Sequence, residues 1–152
     1  MYVVASSAGA PTESTIRSEI MTEYGIKLVS AGWNNENFVG FSDRAAKRWQ
    51  DKLPSGTRML LYETGAKAKG TKSIIAEVEV TGTFDEGEAL KQPGEEHDRL
   101  IPVKVIRRRE SQTPISLEKA REILKDENYP RMGESWRPLS QAEYDAFLKE
   151  WS

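Results

Sequence analysis

Two β-type runs separated only by a short Gly- and Lys-rich turn constrain this chain more than any other feature. Met59 to Tyr62, in PSGTRMLLYETG, is a buried-strand run fed by a turn. Residues 73 to 82 (SIIAEVEVTG) alternate from Ala76 onward, with Ala76, Val78 and Val80 on one face and Glu77 and Glu79 on the other. Between them lies GAKAKGTK, residues 65 to 72. Strand, turn and strand follow directly, helices stand elsewhere, and there is no strict βαβ alternation. That pattern argues an α+β fold with a curled, mostly antiparallel sheet.

The remaining elements are read from their ends. Residues 2 to 6 (YVVAS) form a short strand, and Pro11 opens a helix through Tyr24 that Gly25 closes as a C-terminal cap. IKLVS, from Ile26, is a second short strand. A helix over residues 42 to 53 has Ser42 as N-cap, Asp43 on the positive end of its dipole and Pro54 as its stop. Its apolar face is Ala45, Ala46, Trp49 and Leu53. The acidic run from Asp85 to Asp98 reads as a loop, and residues 99 to 109 as a strand that Pro102 confines to an edge or a start. Helices over 114 to 126 and 138 to 151 begin at Ser116 and Ser140, the second with Glu143 completing a capping box. Without repeats or an internal boundary, residues 1–152 read as one domain.

Composition removes whole classes of chemistry. The chain has no cysteine and a single histidine, His97, which excludes disulfides, thiolate metal sites and Cys nucleophiles and leaves no His-rich centre. One His among acidic neighbours is a weak metal signal, so no metal and no cofactor are expected. No window approaches the roughly 18 apolar residues of a membrane span, and MYVVASSAGA lacks the basic start of a signal peptide, so a cytoplasmic protein is the default. The net charge of -2 hides a segregation. Residues 44 to 79 carry eight basic against four acidic side chains, and residues 84 to 98 carry six acidic against one Lys. One basic face is therefore compatible with an acidic total.

SAGWNNENFVGF, residues 30 to 41, fits neither a helical stripe nor strand alternation. Trp33, Phe38 and Phe41 either cap the core, with the Asn residues making turns, or line a ligand pocket. Trp136 stands in a loop-like stretch flanked by Arg131 and Arg137, with the same two readings. Lys67, Lys69 and Lys72 in the Gly-rich turn, and Arg107, Arg108 and Arg109, are candidate phosphate contacts or a solvated surface.

The ordered series of segments resembles the EVE family of the PUA-like superfamily, to which YTH and ASCH domains are related. YVVAS, NFVGFSDRAAKRWQDKLPSGTRMLLYETG, IIAEVEVTG, HDRLIPVKVI, TPISLEKAREI and PLSQAEYDAFLKEW stand in the family's order. The sequence departs from it with Val3 for Trp, Phe38-Val39-Gly40 for Trp-x-Gly and Ala76 for Gly. The resemblance implies a β-barrel of about five or six strands with peripheral helices and no catalytic machinery. It implies recognition of a flipped modified base, of the 5-methylcytosine type or N6-methyladenine, in DNA ahead of RNA. Further domains or subunits of a modification-dependent restriction system are the implied partners. An extruded base needs stacking walls and polar groups for its edge. The pocket candidates are therefore Trp33, Asn34, Asn35, Phe38, Phe41, Tyr62, Thr64 and Trp136. Rival readings are an RNA modification reader, an ASCH-like hydrolase of modified nucleosides, and a small-effector or protein-interaction module. The hydrolase signature Gly-x-Lys-x-x-Glu-x-Arg has its nearest match at Gly25 and Lys27, with Ser30 and Gly32 where the acid and arginine belong.

Overall fold

The computed structural model describes residues 23–29, 33, 37–64, 72–88, 98–108, 114–131 and 134–151. Their strands are β1 (Tyr24–Val29), β2 (Phe38–Ser42), β3 (Arg58–Glu63), β4 (Ser73–Val80), β5 (Asp98–Arg108), β6 (Ile115–Ser116) and β7 (Trp136–Leu139). The helices are α1 (Asp43–Trp49, continued by a 3-10 turn over Gln50–Lys52), α2 (Phe84–Gly87), α3 (Leu117–Leu124) and α4 (Gln141–Glu150).

The sheet runs β2-β5-β4-β3-β1-β7, with β6 paired to β4. β1 lies parallel to β3, from Tyr24 opposite Arg58 to Val29 opposite Glu63. The other described ladders are antiparallel. The α+β, mostly antiparallel class therefore holds, with seven strands, one of them only two residues long, among the described residues.

β3 explains why MLLY reads as an unbroken apolar run. Successive side chains alternate across a strand, and here both faces are covered. Met59 and Leu61 join a cluster with Val39, Phe41, Val78, Ile101 and Trp136. Leu60 and Tyr62 join a second with Ile26, Leu124, Tyr129 and Phe147, under the helices. Phe41 and Trp136 come from the two end strands of the sheet order yet share the first cluster, so the sheet curls around it. Lys27 Nζ, from β1, lies 4.7 Å above the Phe41 ring of β2, across the same interior.

Several expectations are corrected. Tyr24 and Gly25 open β1 instead of closing a helix, and the strand parallel to β3 begins there; YVVAS lies outside the described residues. Gly25 is required by packing, because a Cβ there would enter the Trp136 indole. The stretch judged patternless contains β2, whose alternation begins only at Phe38: Val39 and Phe41 point inward. Trp136 is a strand residue, 3% exposed, not a loop residue. The acidic loop begins with α2, capped by Thr83 and Glu86 in a complete capping box. Pro102 sits mid-strand, where β5 leaves β2 and turns to β4: Pro102 faces Phe38 and Val103 faces Val80. A residue without an N–H is tolerated at that exchange of partners.

β5 also carries a bulge. Glu77 faces Arg107 and Val78 faces Val105, which leaves Ile106 without an opposite residue. Ile106 is 37% exposed, the one exposed large hydrophobic among the described residues.

Candidate nucleic-acid interface

The register gathers several candidate groups at one end of the sheet. Val29 ends β1 opposite Glu63, the end of β3, and Glu63 lies opposite Ser73, the start of β4. Arg108, at the end of β5, pairs with Ala76. The segments bearing Trp33, Thr64, Lys72 and Arg108 therefore leave the sheet together. Trp33 packs half-buried against the first cluster, and the Arg108 guanidinium stands 5.4 Å from its ring centroid. The Thr64 N–H donates to the Val29 carbonyl at 3.2 Å, and Lys72 is exposed. Asn34, Asn35, Lys67, Lys69, Arg109 and His97 lie outside the described residues.

Other candidates are placed elsewhere. Phe38 is half-buried at the start of β2. Phe41 is 1% exposed and meets Phe84 edge-on, with ring centroids 5.4 Å apart. Tyr62 is turned to the helix side, 2% exposed, with its ring edge-on to Tyr129 at 5.9 Å. Burial raises its phenol pKa, opposed by the positive charge of Arg121. Phe41, Tyr62 and Trp136 are core side chains, and no free ring face remains on them for stacking. Arg107, also on the helix side, has Nε 2.9 Å from the Glu77 carboxylate and its guanidinium 5.6 Å from the Trp151 ring. The two hydrolase-like positions have structural explanations: Gly25 admits Trp136, and buried Lys27 donates to the Leu28 carbonyl at 2.7 Å.

A cleft of about 450 Å3 opens along the seam of the curl. Ligand pockets commonly span about 300–1,000 Å3. One wall is α1 and its cap: Ser42, Arg44, Ala45, Arg48 and Trp49. The other is Leu28, Glu134 and Ser135, beside β7. Ser42 accepts the Ala45 N–H at 3.1 Å, which starts α1 where the sequence placed it. Arg44 and Arg48, four residues apart, then share a helix face. The Arg48 guanidinium is 5.0 Å from the Trp49 centroid, and Trp49 also packs on the core.

The opposite wall is pinned. Leu28 N–H donates to the Ser135 carbonyl at 2.9 Å, and Glu134 N–H to that of Arg131 at 3.0 Å. Asp126 accepts from Arg137 at 2.8 Å and from Arg131 at 2.9 Å, which folds the segment between α3 and β7 back on itself. These bonds, led by that from Arg137 and joined by the Asn128 N–H, hold the Asp126 carboxyl below the ordinary aspartate range. The sequence reading missed this cleft. Its signal was the pair Arg44 and Arg48 beside Trp49, at the start of the segment with a basic excess. Among the described residues no group of three His, Asp or Glu is placed to hold a metal ion, and no helix is long and apolar enough to cross a membrane.

No protein-family model matches the sequence, and no curated protein matches it. Solved structures do match the fold. The chain is similar to human THYN1 protein, solved in complex with 5-methylcytosine-containing DNA, at a TM-score of 0.57 and 14% identity over 86% of this chain and 99% of that one. It is similar to Rpa0253 from Rhodopseudomonas palustris, at a TM-score of 0.56 and 13% identity, covering 85% of this chain and 92% of that one. For Atu2648 from Agrobacterium tumefaciens the TM-score is 0.54 and the identity 16%, over 84% of this chain and 92% of that one. At these identities the likeness is one of fold: the chain shares the α+β fold of these three proteins.

Proposed function

We propose that this protein is a non-catalytic reader of a modified base extruded from DNA, acting as the specificity module of a modification-dependent restriction system. The observation that carries the reading is the cleft: it joins a half-buried indole, Trp49, to two arginines and to polar groups at Ser42, Glu134 and Ser135. Trp49 and Leu28 supply apolar surface for the base and its added group. Arg44 and Arg48 face the phosphates on either side, where cations contribute affinity without reading sequence. Base–aromatic stacking contributes roughly 1–3 kcal/mol, which offsets much of the few kcal/mol that unstacking costs. The shared fold with human THYN1, solved with 5-methylcytosine-containing DNA, supports DNA as the target.

The test is fluorescence anisotropy with matched DNA and RNA oligonucleotides, unmodified or carrying 5-methylcytosine, 5-hydroxymethylcytosine or N6-methyladenine, at two salt concentrations. One modified DNA strand is expected to bind best. Arg44→Ala and Arg48→Ala are each expected to weaken every strand alike and to lower the salt slope by about one phosphate contact. Preference for modified RNA would replace the DNA assignment. Equal weak binding to all strands, unmoved by either substitution, would overturn the reading in favour of a small-effector module. Release of a cleaved nucleoside would make the protein an enzyme.

A further inference from the structure

We infer that Glu134 is the group that selects a base bearing an exocyclic amine, cytosine or adenine, over the matching keto base; this rests on the reader function proposed above. Three observations place it. First, its side chain lines the cleft opposite Arg44, Arg48 and Trp49. Second, its backbone is held on both sides, by its own N–H to Arg131 at 3.0 Å and by Leu28 to Ser135 at 2.9 Å, so the carboxylate is carried on a fixed mount. Third, its Oε1 is buried yet accepts no hydrogen bond from the described residues.

The cation nearest to that oxygen does not complete it. Arg137 Nη1 lies 3.7 Å from Glu134 Oε1 and donates at 2.8 Å to Asp126 Oδ2 instead. A buried acceptor left without a donor costs free energy, more so when charged. Oε1 is shielded from solvent while the side chain as a whole is 26% exposed, so a turn of the carboxylate toward the cleft brings an oxygen to a ligand's donor and removes that cost. An ionised carboxylate only accepts, so it pairs with the N4 amine of cytosine or the N6 amine of adenine and repels a carbonyl oxygen at the same place. The methyl group of 5-methylcytosine is outside its reach of discrimination, since cytosine and 5-methylcytosine carry the same amine. Selection for the modification then belongs to the apolar wall, and selection for the base to Glu134.

Thymine and 5-methylcytosine share the 5-methyl group and differ at the amine edge, which makes them the discriminating pair. Single-stranded oligonucleotides with cytosine, 5-methylcytosine or thymine at one position are titrated against wild type, Glu134→Gln and Glu134→Ala. Wild type is expected to prefer 5-methylcytosine to thymine by roughly tenfold to hundredfold. In Glu134→Gln, whose amide can donate as well as accept, that ratio falls to near one. In both variants the ratio of 5-methylcytosine to cytosine stays as in wild type, and the thermal midpoint does not fall, since an unpaired buried charge is removed. If wild type prefers modified DNA but Glu134→Gln leaves the thymine ratio intact, Glu134 is not the selector and the reader function stands. If wild type shows no preference for any modified strand, the reader function itself fails.

Discussion

A methyl group on Gly25 would meet the indole of Trp136 and the carbonyl oxygen of Arg137 together. Neither neighbour yields easily, because Trp136 is 3% exposed and Arg137 is tied to Asp126. Gly25→Ala is expected to lower unfolding stability by about 1–3 kcal/mol, as overpacked cores do, measured by urea denaturation. An unchanged midpoint would mean that the indole has room to move. Residues that act locally were the most legible. Ser42, Ser116 and Ser140 were assigned as caps from their neighbours, and each accepts the expected backbone N–H, at 3.1 Å in all three. The Thr83-x-x-Glu86 box was equally readable and was passed over because the run around it is acidic. Gly25 was misread because its reason is a ring more than a hundred residues away in the chain.

At the scale of elements, the segment joining α3 to β7 forms one wall of the cleft, and Asp126 holds it. The carboxyl pKa is depressed in the folded protein, chiefly by the hydrogen bond from Arg137. The unfolded chain therefore takes up this proton first as pH falls. The stabilisation is complete above the ordinary aspartate pKa of about 3.9 and is lost as pH drops through the lower folded value. Asp126→Asn is expected to lower the thermal midpoint at pH 7, with the gap to wild type closing below pH 4. Midpoints recorded from pH 2 to pH 8 check this, and a gap that persisted at pH 2 would place the effect elsewhere. Strands with both faces covered, such as β3, were legible as apolar runs. The edge strands were not. β2 is five residues long and follows a polar stretch, while β7 is four residues long and carries Pro138. Each is fixed by its partner's ladder more than by its own composition.

Across the whole molecule, the curl brings together groups that no local pattern connects. The cleft joins residue 28, residues 42 to 49 and residues 134 and 135. Their proximity follows from β7 pairing with β1 and from β2 closing the other end of the sheet order. The fold was legible because its evidence is spread along the chain, in caps, alternation and the order of elements. The cleft was not, and the candidates that the chain's turns did bring together, Trp33 and Arg108, are not among the residues that line it. The segregation of charge read from the sequence has a counterpart here, since Arg44 and Arg48 stand on the cleft while Asp85 and Glu88 gather about Arg99.

The unpaired Ile106 gives β5 one residue of slack. Arg107 already faces Glu77 and Arg108 already faces Ala76, so the ladder on either side keeps the same partners whether or not Ile106 is present. A deletion in a central strand ordinarily exchanges inside for outside along everything that follows. Here it would draw the chain taut. Deletion of Ile106 is expected to preserve a cooperative unfolding transition, at no more than the roughly 0.5–3 kcal/mol of an ordinary point change. An added residue beside it would have no slack to enter and should unfold the strand, so denaturation of the two length variants side by side would measure which way β5 can still be changed.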